Sequence, residues 1–347
     1  MIKINVSEVN EFLKATSQVV NNVLFPELQY CKFSSTGEII RTNLNSWVIY
    51  KSGLEADDIT EDILVDDRIL RGFVAVLKDD DIITITIKDT KVFLKCGSRE
   101  IGFQNMELSK FEKTPSQDFK GEKISVLSNV IKSIKIAQVY AMLVSQYEGP
   151  FSFIQLNGND NEVFASNGNF IYVKRFDEQL PTMLLRHEAC NILNDEKDYK
   201  YFEVGNYYFF DQDKFTFGFI KTESKTVDYR KIIDVGSTDI YFELNIIDVV
   251  NFCSLCASAA KELVPVASLS DSVLKYSDDS FNIKVEQTIV VGGNDTAEMS
   301  FNTIIVNRAL RALPYERLKI SLIEGGHYKL TTDEDLNYTG ILSKVLK

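Results

Sequence analysis

The chain has 347 residues, of which 45% are hydrophobic and 25% are charged, and its formal net charge is -12. This acidic balance excludes a surface that binds phosphates all over, because a uniformly acidic protein repels nucleic acid, but it allows a basic patch on one face. No apolar run reaches the roughly 18 residues of a membrane-spanning helix, and Lys3 puts a charge near the N-terminus, where a signal peptide needs an apolar run. We therefore expect a cytoplasmic protein.

The predicted elements repeat along the chain. Residues 2–6, 122–126 and 240–244 each predict a short strand that runs directly into an amphipathic helix, and these segments recur about every 120 residues. Three copies account for nearly the whole sequence, and each copy is long enough to bury its own core. The sequence therefore predicts three tandem domains. Their boundaries are 1–117, 118–235 and 236–347.

A second helix and a following strand support the repeat. Each second helix ends at a leucine, and a polar turn then leads into a strand in which β-branched or aromatic residues alternate with polar ones. The helical segments are 73–77, 189–193 and 309–313, and the strands are 82–87, 199–204 and 318–322. The first two units also share a hairpin, at 38–51 and at 162–174. Each unit is thus predicted to be an α+β domain with two helices packed on antiparallel sheets.

The cysteines favour a reducing compartment. There are five of them, an odd number without the spacing of a disulfide framework. Cys253 and Cys256 form a CxxC pair inside an apolar helical pattern. A zinc site there would lack a second pair of ligands, so we expect buried core thiols rather than a metal or redox centre.

The sequence offers no catalytic apparatus. The two histidines, His187 and His327, lie outside any nucleophile elbow, zincin motif or Cys/His arrangement. The glycine pairs at 292–293 and 325–326 suit hairpin turns, and no GKS or GKT follows them as it does in a phosphate-binding loop. The acidic run 79–81 lies at a helix-to-strand turn, where a solvated loop is the ordinary outcome. We therefore expect neither an enzyme nor a bound cofactor or metal.

Two short motifs add a family resemblance. Residues 165–171 are Ala-Ser-Asn-Gly-Asn-Phe-Ile, and residues 227–233 are Val-Asp-Tyr-Arg-Lys-Ile-Ile. Together with the threefold repeat and an apolar C-terminal tail, they resemble the bacterial DNA polymerase III beta subunit, the sliding clamp. That family typically has Thr-Asp-Gly-His-Arg-Leu at the first motif and an aromatic-Pro-Asp-Tyr-Arg run at the second. The resemblance spans the whole chain.

The resemblance implies a head-to-tail homodimer whose six domains close a ring around duplex DNA, associated with the nucleoid during replication. Lysines and arginines on the inner helices would face the phosphates without reading sequence. Any one of them is equally an ordinary solvated residue, but their contrast with the acidic remainder of the chain favours a DNA-facing surface. The candidates are Lys14, Lys132, Lys135 and Lys261 on first helices, and Arg68, Arg71, Lys78, Arg186, Arg308 and Arg311 on second helices.

Ring closure implies an interface between the first domain of one copy and the third domain of another, expected to join strand to strand. By position, Ile101 and Phe103 resemble one side of the family's interface, and Phe252, Leu255 and Cys256 resemble the other. Ordinary core burial is an equally good account of each residue.

The family's working surface is an apolar pocket between its second and third domains. It takes a short linear peptide from the polymerase catalytic subunit, the clamp loader and other clamp-binding proteins. Carried over by position, the pocket residues here are Ser166, Gly168, Phe170, Ile171, Val227, Lys231, Ile232, Ile341, Leu342, Ser343, Lys344 and Val345. The chain departs from the family in this region, with Asn169-Phe170 for the His-Arg pair and Val227 for the linker proline, so we expect a retuned pocket.

Two function classes follow from the resemblance. The first is a DNA-encircling processivity factor that tethers its partners. The second is a clamp-like adaptor or competitor that binds clamp-interacting peptides without closing on DNA. Ring closure separates the two.

Overall fold

The structure of the protein is a computed structural model, and it describes residues 1–19, 26–53, 61–111, 113–141, 149–234, 241–260, 265–279, 281–293, 299–323 and 326–343. None of the helices in these ranges is long and apolar enough to cross a membrane.

The N-terminal part opens with the predicted strand and helix. Its elements are β1 (Ile2–Asn5), α1 (Val6–Ala15), β2 (Tyr30–Phe33), β3 (Glu38–Thr42), β4 (Ser46–Lys51), β5 (Ile63–Asp66), α2 (Asp67–Val74), β6 (Ile82–Lys88), β7 (Lys91–Cys96) and β8 (Arg99–Gln104). Helix α2 begins at a capping residue, because the Asp66 carboxylate accepts a hydrogen bond from Ile69 N–H at 3.0 Å.

The middle part contains one short helix where the sequence predicts a longer one. Its elements are β9 (Ile124–Val126), α3 (Ser128–Gln138), β10 (Phe153–Asn157), β11 (Glu162–Ser166), β12 (Phe170–Arg175), β13 (Met183–Arg186), α4 (His187–Cys190), β14 (Tyr199–Val204), β15 (Tyr207–Gln212), β16 (Phe215–Ile220) and α5 (Arg230–Ile233). The helix predicted at 189–193 is the single turn α4. Beyond it the chain turns, and Asn194 N–H donates to the Tyr199 hydroxyl at 2.8 Å.

The C-terminal part repeats the strand and helix order. Its elements are β17 (Phe242–Asn245), α6 (Ile246–Ala259), β18 (Val266–Ser270), β19 (Val273–Asp278), β20 (Ile283–Thr288), β21 (Val291–Gly293), β22 (Met299–Asn302), α7 (Thr303–Ala312), β23 (Arg317–Ile323), β24 (His327–Thr331) and β25 (Tyr338–Ser343). The Asn302 side chain caps α7 by accepting hydrogen bonds from Ile304 N–H at 2.9 Å and Ile305 N–H at 3.1 Å.

The chain divides into two compact units. Unit 1 comprises Met1–Ser128 and Asn191–Lys221, and unit 2 comprises Asn129–Cys190 and Thr222–Lys347. Unit 1 holds the sheets β1-β6-β7-β8 and β5-β2-β3-β4-β16-β15-β14-β9, and unit 2 holds β13-β10-β11-β12-β25-β24-β23-β17-β21 and β20-β19-β18-β22. Neighbouring strands in these sheets run antiparallel, so the predicted α+β class is confirmed. The three domain boundaries stay a prediction.

The larger sheets join strands that are far apart in sequence. In unit 1, Val48 of β4 lies opposite Phe217 of β16. In unit 2, Ile171 of β12 lies opposite Ile341 of β25. Both hairpins predicted from the sequence are therefore extended by a strand from a later part of the chain.

The CxxC pair is buried in α6, as the sequence predicts. Cys253 and Cys256 are both fully buried. Burial raises the pKa of the Cys256 thiol to about 11, so this thiol stays protonated and unreactive at neutral pH.

Candidate peptide-binding and nucleic-acid surfaces

One face of the nine-stranded sheet in unit 2 carries three isoleucines from neighbouring strands. Ile171 of β12 is paired with Ile341 of β25, and Ile341 is paired in turn with Lys329 of β24. Ser321 of β23 is the partner of Lys329, and Ile323 lies two residues further along β23, on the same face. The three isoleucines thus form an apolar floor.

The segment 222–234 between β16 and β17 runs across this floor. The Tyr229 ring stacks on Phe164 of β11, with ring centroids 4.1 Å apart and planes inclined by 8°. Ile233 is buried in the same cluster as the isoleucines, and Val227 packs against it. We call this set the linker cluster. Its members are Phe164, Ile171, Val173, Val227, Tyr229, Ile233, Ile323 and Ile341.

Hydrogen bonds fix both ends of the linker to the sheet. Val227 N–H donates to Gln155 Oε1 at 3.1 Å. At the other end, Lys329 Nζ donates to the Ile233 carbonyl at 3.3 Å. The linker therefore lies over the floor and is held there by hydrogen bonds at both ends.

A buried carboxylate holds the centre of the linker. Glu162 opens β11, and its side chain is only 3% exposed. It accepts hydrogen bonds from the Tyr229 hydroxyl at 2.9 Å, from Arg230 Nη2 at 2.7 Å and from Arg175 Nη2 at 3.0 Å. Arg230 also pairs with Asp160 at 3.0 Å. Two guanidinium groups thus compensate the buried charge, which would otherwise be costly.

The hydroxyl of Tyr229 acts as a donor in this network. Burial raises the pKa of Tyr229 above its ordinary value, and the nearby Glu162 carboxylate raises it further. The phenol therefore stays protonated at neutral pH and keeps donating to Glu162.

Several residues predicted for the peptide pocket meet at the linker cluster. Ile171 and Ile341 lie in the floor, and Val227 packs against it. Ile232 is 38% exposed beside the cluster, and Lys231 is exposed next to it. Ile171, Val227 and Ile341 come from three separate parts of the chain, and the structure brings them together in one cluster.

Two predicted pocket residues lie on the other face of the sheet. Phe170 and Leu342 are paired with each other across β12 and β25, one position along from the Ile171 pair. Because successive side chains of a strand point to opposite faces, Phe170 and Leu342 lie on the face of the sheet opposite Ile171 and Ile341. Phe170 is fully buried there, with its ring centroid 4.9 Å from that of Tyr140.

The remaining predicted pocket residues shape the hairpin or its neighbourhood. The Ser166 hydroxyl accepts a hydrogen bond from Gly168 N–H at 3.0 Å. Gly168 has φ of 82°, a left-handed conformation that favours glycine. Ser343 N–H donates to the Asn169 carbonyl at 2.8 Å. Lys344 and Val345 lie outside the described residues.

Sequence reasoning missed Glu162, Ile233 and Ile323. The alternating pattern of β23 gave no signal for Ile323, because Ile323 shares its face with Lys319 and Ser321, the polar positions of that pattern. Glu162 gave no signal either, because an acidic residue at the start of a strand normally predicts a solvent-exposed position.

Four of the candidate DNA-facing cations are exposed on helices. They are Lys14 of α1, Arg68 of α2, Lys132 of α3 and Arg308 of α7. Arg311 of α7 is exposed as well, and its guanidinium donates to Ser254 Oγ at 2.8 Å. Exposed cations on helix surfaces are what a phosphate-facing surface requires.

Arg71 is engaged in contacts within unit 1, and its side chain is 35% exposed. It pairs with the buried carboxylate of Asp67 at 2.9 Å and donates to the Leu13 carbonyl at 3.1 Å and to Thr16 Oγ1 at 3.2 Å. Asp67 also pairs with the buried Arg41 at 3.0 Å. This network ties the start of α2 to the end of α1.

The structure corrects the positions of two further cations. Lys78 lies in the turn after α2, which ends at Val74, and Arg186 is the last residue of β13. Lys135 is half-buried on α3. Lys261 lies outside the described residues.

The two four-stranded sheets each end in an edge strand, β8 in unit 1 and β20 in unit 2. On β8, Ile101 is 39% exposed and Phe103 is half-buried. Both lie on the core face of the sheet, because they are paired with the buried Leu94 and Val92. Among the described residues, the sheet has no further strand beyond β8 to bury these two apolar side chains. Their burial would require a strand or helix from outside the sheet.

Strand β20 has the same character. Val285 is half-buried and is paired with the buried Tyr276 of β19.

Of the residues predicted on the other side of the interface, Leu255 of α6 is 54% exposed, whereas Phe252 and Cys256 are fully buried in unit 2. The last two therefore contribute to the core, and Leu255 is the member of this set at the surface.

Comparison with known proteins identifies the fold. No protein-family model and no curated protein matches the sequence. Solved structures do match. A putative DNA polymerase III beta subunit from Eubacterium rectale is similar with a TM-score of 0.85 and 12% identity, covering 99% of this chain and 98% of the other. The DNA polymerase III subunit beta from Pseudomonas aeruginosa has a TM-score of 0.85 and 16% identity, with 100% of both chains covered. The sliding clamp from Bacillus subtilis has a TM-score of 0.84 and 14% identity, covering 100% of this chain and 99% of the other. The chain has the fold of the bacterial sliding clamps, as its sequence motifs predict.

Proposed function

We propose that this protein is a DNA sliding clamp. It encircles duplex DNA as a head-to-tail homodimer and tethers a DNA polymerase and other replication or repair proteins. The observation that carries the proposal is the similarity of the whole chain to sliding clamps, with nearly complete coverage on both sides. A role of this kind requires binding surfaces rather than a catalytic site, so we propose a non-catalytic accessory protein.

Closure of the ring would use the two edge strands. Strand β8 of one copy would pair with β20 of the other, and the half-buried Phe103 and Val285 would then be covered. Because each copy offers both edges, two such contacts close a symmetric dimer. The three domains 1–117, 118–235 and 236–347 belong to this proposal.

The exposed helical cations would attract the duplex without holding it at one sequence. Lys14, Arg68, Lys132 and Arg308 support this role, since they are exposed on four different helices. A closed ring is retained on DNA by topology, so weak contacts with phosphates are sufficient. Salt screens such contacts and weakens them.

The linker cluster would bind the partner peptides. One or two hydrophobic side chains of a partner would pack on this cluster, where Ile232 is 38% and Ile171 is 9% exposed, and such anchors supply most of the affinity in recognition of this type. The partners in this proposal are the polymerase catalytic subunit, the clamp loader and other proteins with clamp-binding motifs. The departures from the family at Asn169 and Val227 leave the floor residues Ile171 and Ile341 in place.

Retention on circular DNA tests the proposal. The protein is loaded on nicked circular DNA with a clamp loader and separated from free protein by gel filtration, before and after a restriction enzyme linearises the circle. We expect retention on the circle and release on linearisation. Retention on both forms would indicate ordinary DNA binding. Retention on neither, with peptide binding intact, would favour the clamp-like adaptor.

A further inference from the structure

The four-stranded sheet of unit 1 has a solvent face that is unusually basic. Cross-strand pairing puts Lys3 of β1, Thr84 of β6 and Lys95 of β7 in one row, and Lys88 and Lys91 in another. The residues next to them in sequence, such as Ile4 and Leu94, lie on the opposite face and are buried in the core. The row positions and the alternation of side chains therefore collect four lysines on one side of the sheet.

These lysines carry little compensating charge. All four are exposed, and among the described residues none of them forms an ion pair. The one carboxylate on the same strands and face is Glu100, which lies opposite Lys95 on β8. In a chain with 50 acidic and 38 basic residues, a face with four lysines and one carboxylate is a departure from the average surface.

An aromatic ring lies between the lysines. Phe93 occupies the middle of β7, two residues from Lys91 and two from Lys95, on the same face. A side chain at Gly102 of β8 would come within 2.7 Å of the Phe93 ring, so the ring lies across the glycine on the sheet surface. Lys88 Nζ is 5.8 Å from the ring centroid. An aromatic residue that covers a glycine also stabilises an edge strand, but that role does not require the lysines around it.

The four-stranded sheet of unit 2 provides an internal comparison. On its solvent face, Lys275 of β19 is paired with Glu286 of β20, and Lys284 forms an ion pair with Glu286 at 3.1 Å. The neighbouring positions on β18 are serines, Ser268 and Ser270. Among its described strand residues, this face has two lysines and one glutamate, and it has no aromatic ring. The basic face of unit 1 is therefore not a general property of these sheets.

We infer that the solvent face of the β1-β6-β7-β8 sheet binds single-stranded nucleic acid. Phe93 is the stacking platform for a base, and Lys3, Lys88, Lys91 and Lys95 contact phosphates on either side. Lys91 and Lys95 lie about 13 Å apart along the strand, with the ring between them. An open sheet with an aromatic residue among cations is the arrangement that single-strand binding proteins use, and stacking tolerates any base sequence. This site uses none of the helical cations or linker-cluster residues, and it does not depend on ring closure.

Fluorescence anisotropy with labelled oligothymidylate tests the inference. We expect the Phe93→Ala variant to bind about fivefold or more weakly, since one base stack contributes about 1–3 kcal/mol. Phe93→Tyr keeps the ring and is expected to bind as wild type does. The Lys91→Gln/Lys95→Gln double variant is expected to bind more weakly and to lower the salt dependence of log K by about 1.4, since each phosphate that a lysine neutralises contributes about 0.7. The matched control is Lys275→Gln, an exposed lysine on the other sheet, which is expected to change nothing.

Three results would overturn the inference. The first is that the wild-type protein does not bind the oligonucleotide. The second is that neither the Phe93 variant nor the lysine variants change binding. The third is that polyglutamate competes as well as the oligonucleotide while Phe93→Ala has no effect, which would identify a site for acidic peptides. The lysine variants alter exposed side chains, so thermal unfolding is expected to show an intact fold for them. Because the assay uses neither circular DNA nor a clamp loader, its failure is distinguishable from failure of the sliding-clamp proposal.

Discussion

Glu162 is the residue whose replacement tests the linker cluster most directly. Glu162→Gln keeps the size of the side chain and one carbonyl acceptor but removes the negative charge. Tyr229, Arg230 and Arg175 would then lose their shared negative partner, and one of its two accepting oxygens would become a donor. Since these hydrogen bonds hold the linker against β11, we expect the variant to loosen the linker where it covers the isoleucine floor.

The size of the effect follows from the exposure of the partners. Hydrogen bonds to a charged group contribute about 1.5–3 kcal/mol each, and breaking a buried ion pair costs about 3–5 kcal/mol. Here the Arg175 side chain is 56% exposed and that of Arg230 is 28% exposed, so solvent reduces the loss. Arg230 also keeps its pair with Asp160. We expect a decrease of about 2 kcal/mol in the free energy of unfolding, and about half of it to appear as weaker peptide binding, a factor of about five.

The assay is a titration of a labelled peptide that carries the general bacterial clamp-binding pattern, combined with urea unfolding. Asp335→Asn is the matched control. Asp335 accepts hydrogen bonds from Lys174 and Tyr315, and Lys174 lies on β12 but on the face opposite Ile171. The control should lose stability and keep its peptide affinity. An equal loss of affinity in both variants would show that Glu162 acts only through global stability, and unchanged affinity in Glu162→Gln would remove the linker from the site.

Three further predictions concern assembly, the buried network of unit 1 and acid stability. Phe103→Asp is expected to give monomers in sedimentation velocity, and an unchanged dimer would exclude Phe103 from the interface. Asp67→Asn removes the negative charge that pairs with the buried Arg41 and with Arg71, so urea unfolding is expected to show a loss of about 3 kcal/mol, whereas the neighbouring Asp66→Asn keeps a capping side chain and is expected to be nearly neutral. Burial alone would raise the pKa of Asp335, but its hydrogen bonds from a lysine and a tyrosine hold it below the ordinary value. The stabilisation it gives is present above about pH 4 and is lost below it, so Asp335→Asn should show a shallower fall in stability on acidification than wild type.

Local patterns determined much of this fold. The strand at residues 2–5, the hairpin at 162–175 and the helix at 303–312 follow from alternation, turn residues and caps that act over a few positions. The motifs at 165–171 and 227–233 also identified the two segments that meet at the linker cluster. Their meeting was predicted from a resemblance, and the pairing of β12 with β25 now gives its physical basis.

Other features depend on contacts between distant segments, which no local pattern contains. Sequence alone does not fix which of two adjacent apolar residues on β12 faces the linker, because both faces of that strand are buried, and the structure places Ile171 there and Phe170 behind it. It also does not show that the cation Arg71 donates to the Leu13 carbonyl and to Thr16 Oγ1, more than 50 residues away in the chain. The sequence by itself determined most of the elements and the family to which the fold is similar. Only the tertiary structure decided which charges are compensated, which strand edges are left unpaired and which face of each sheet meets solvent, because these depend on cross-strand register and on burial.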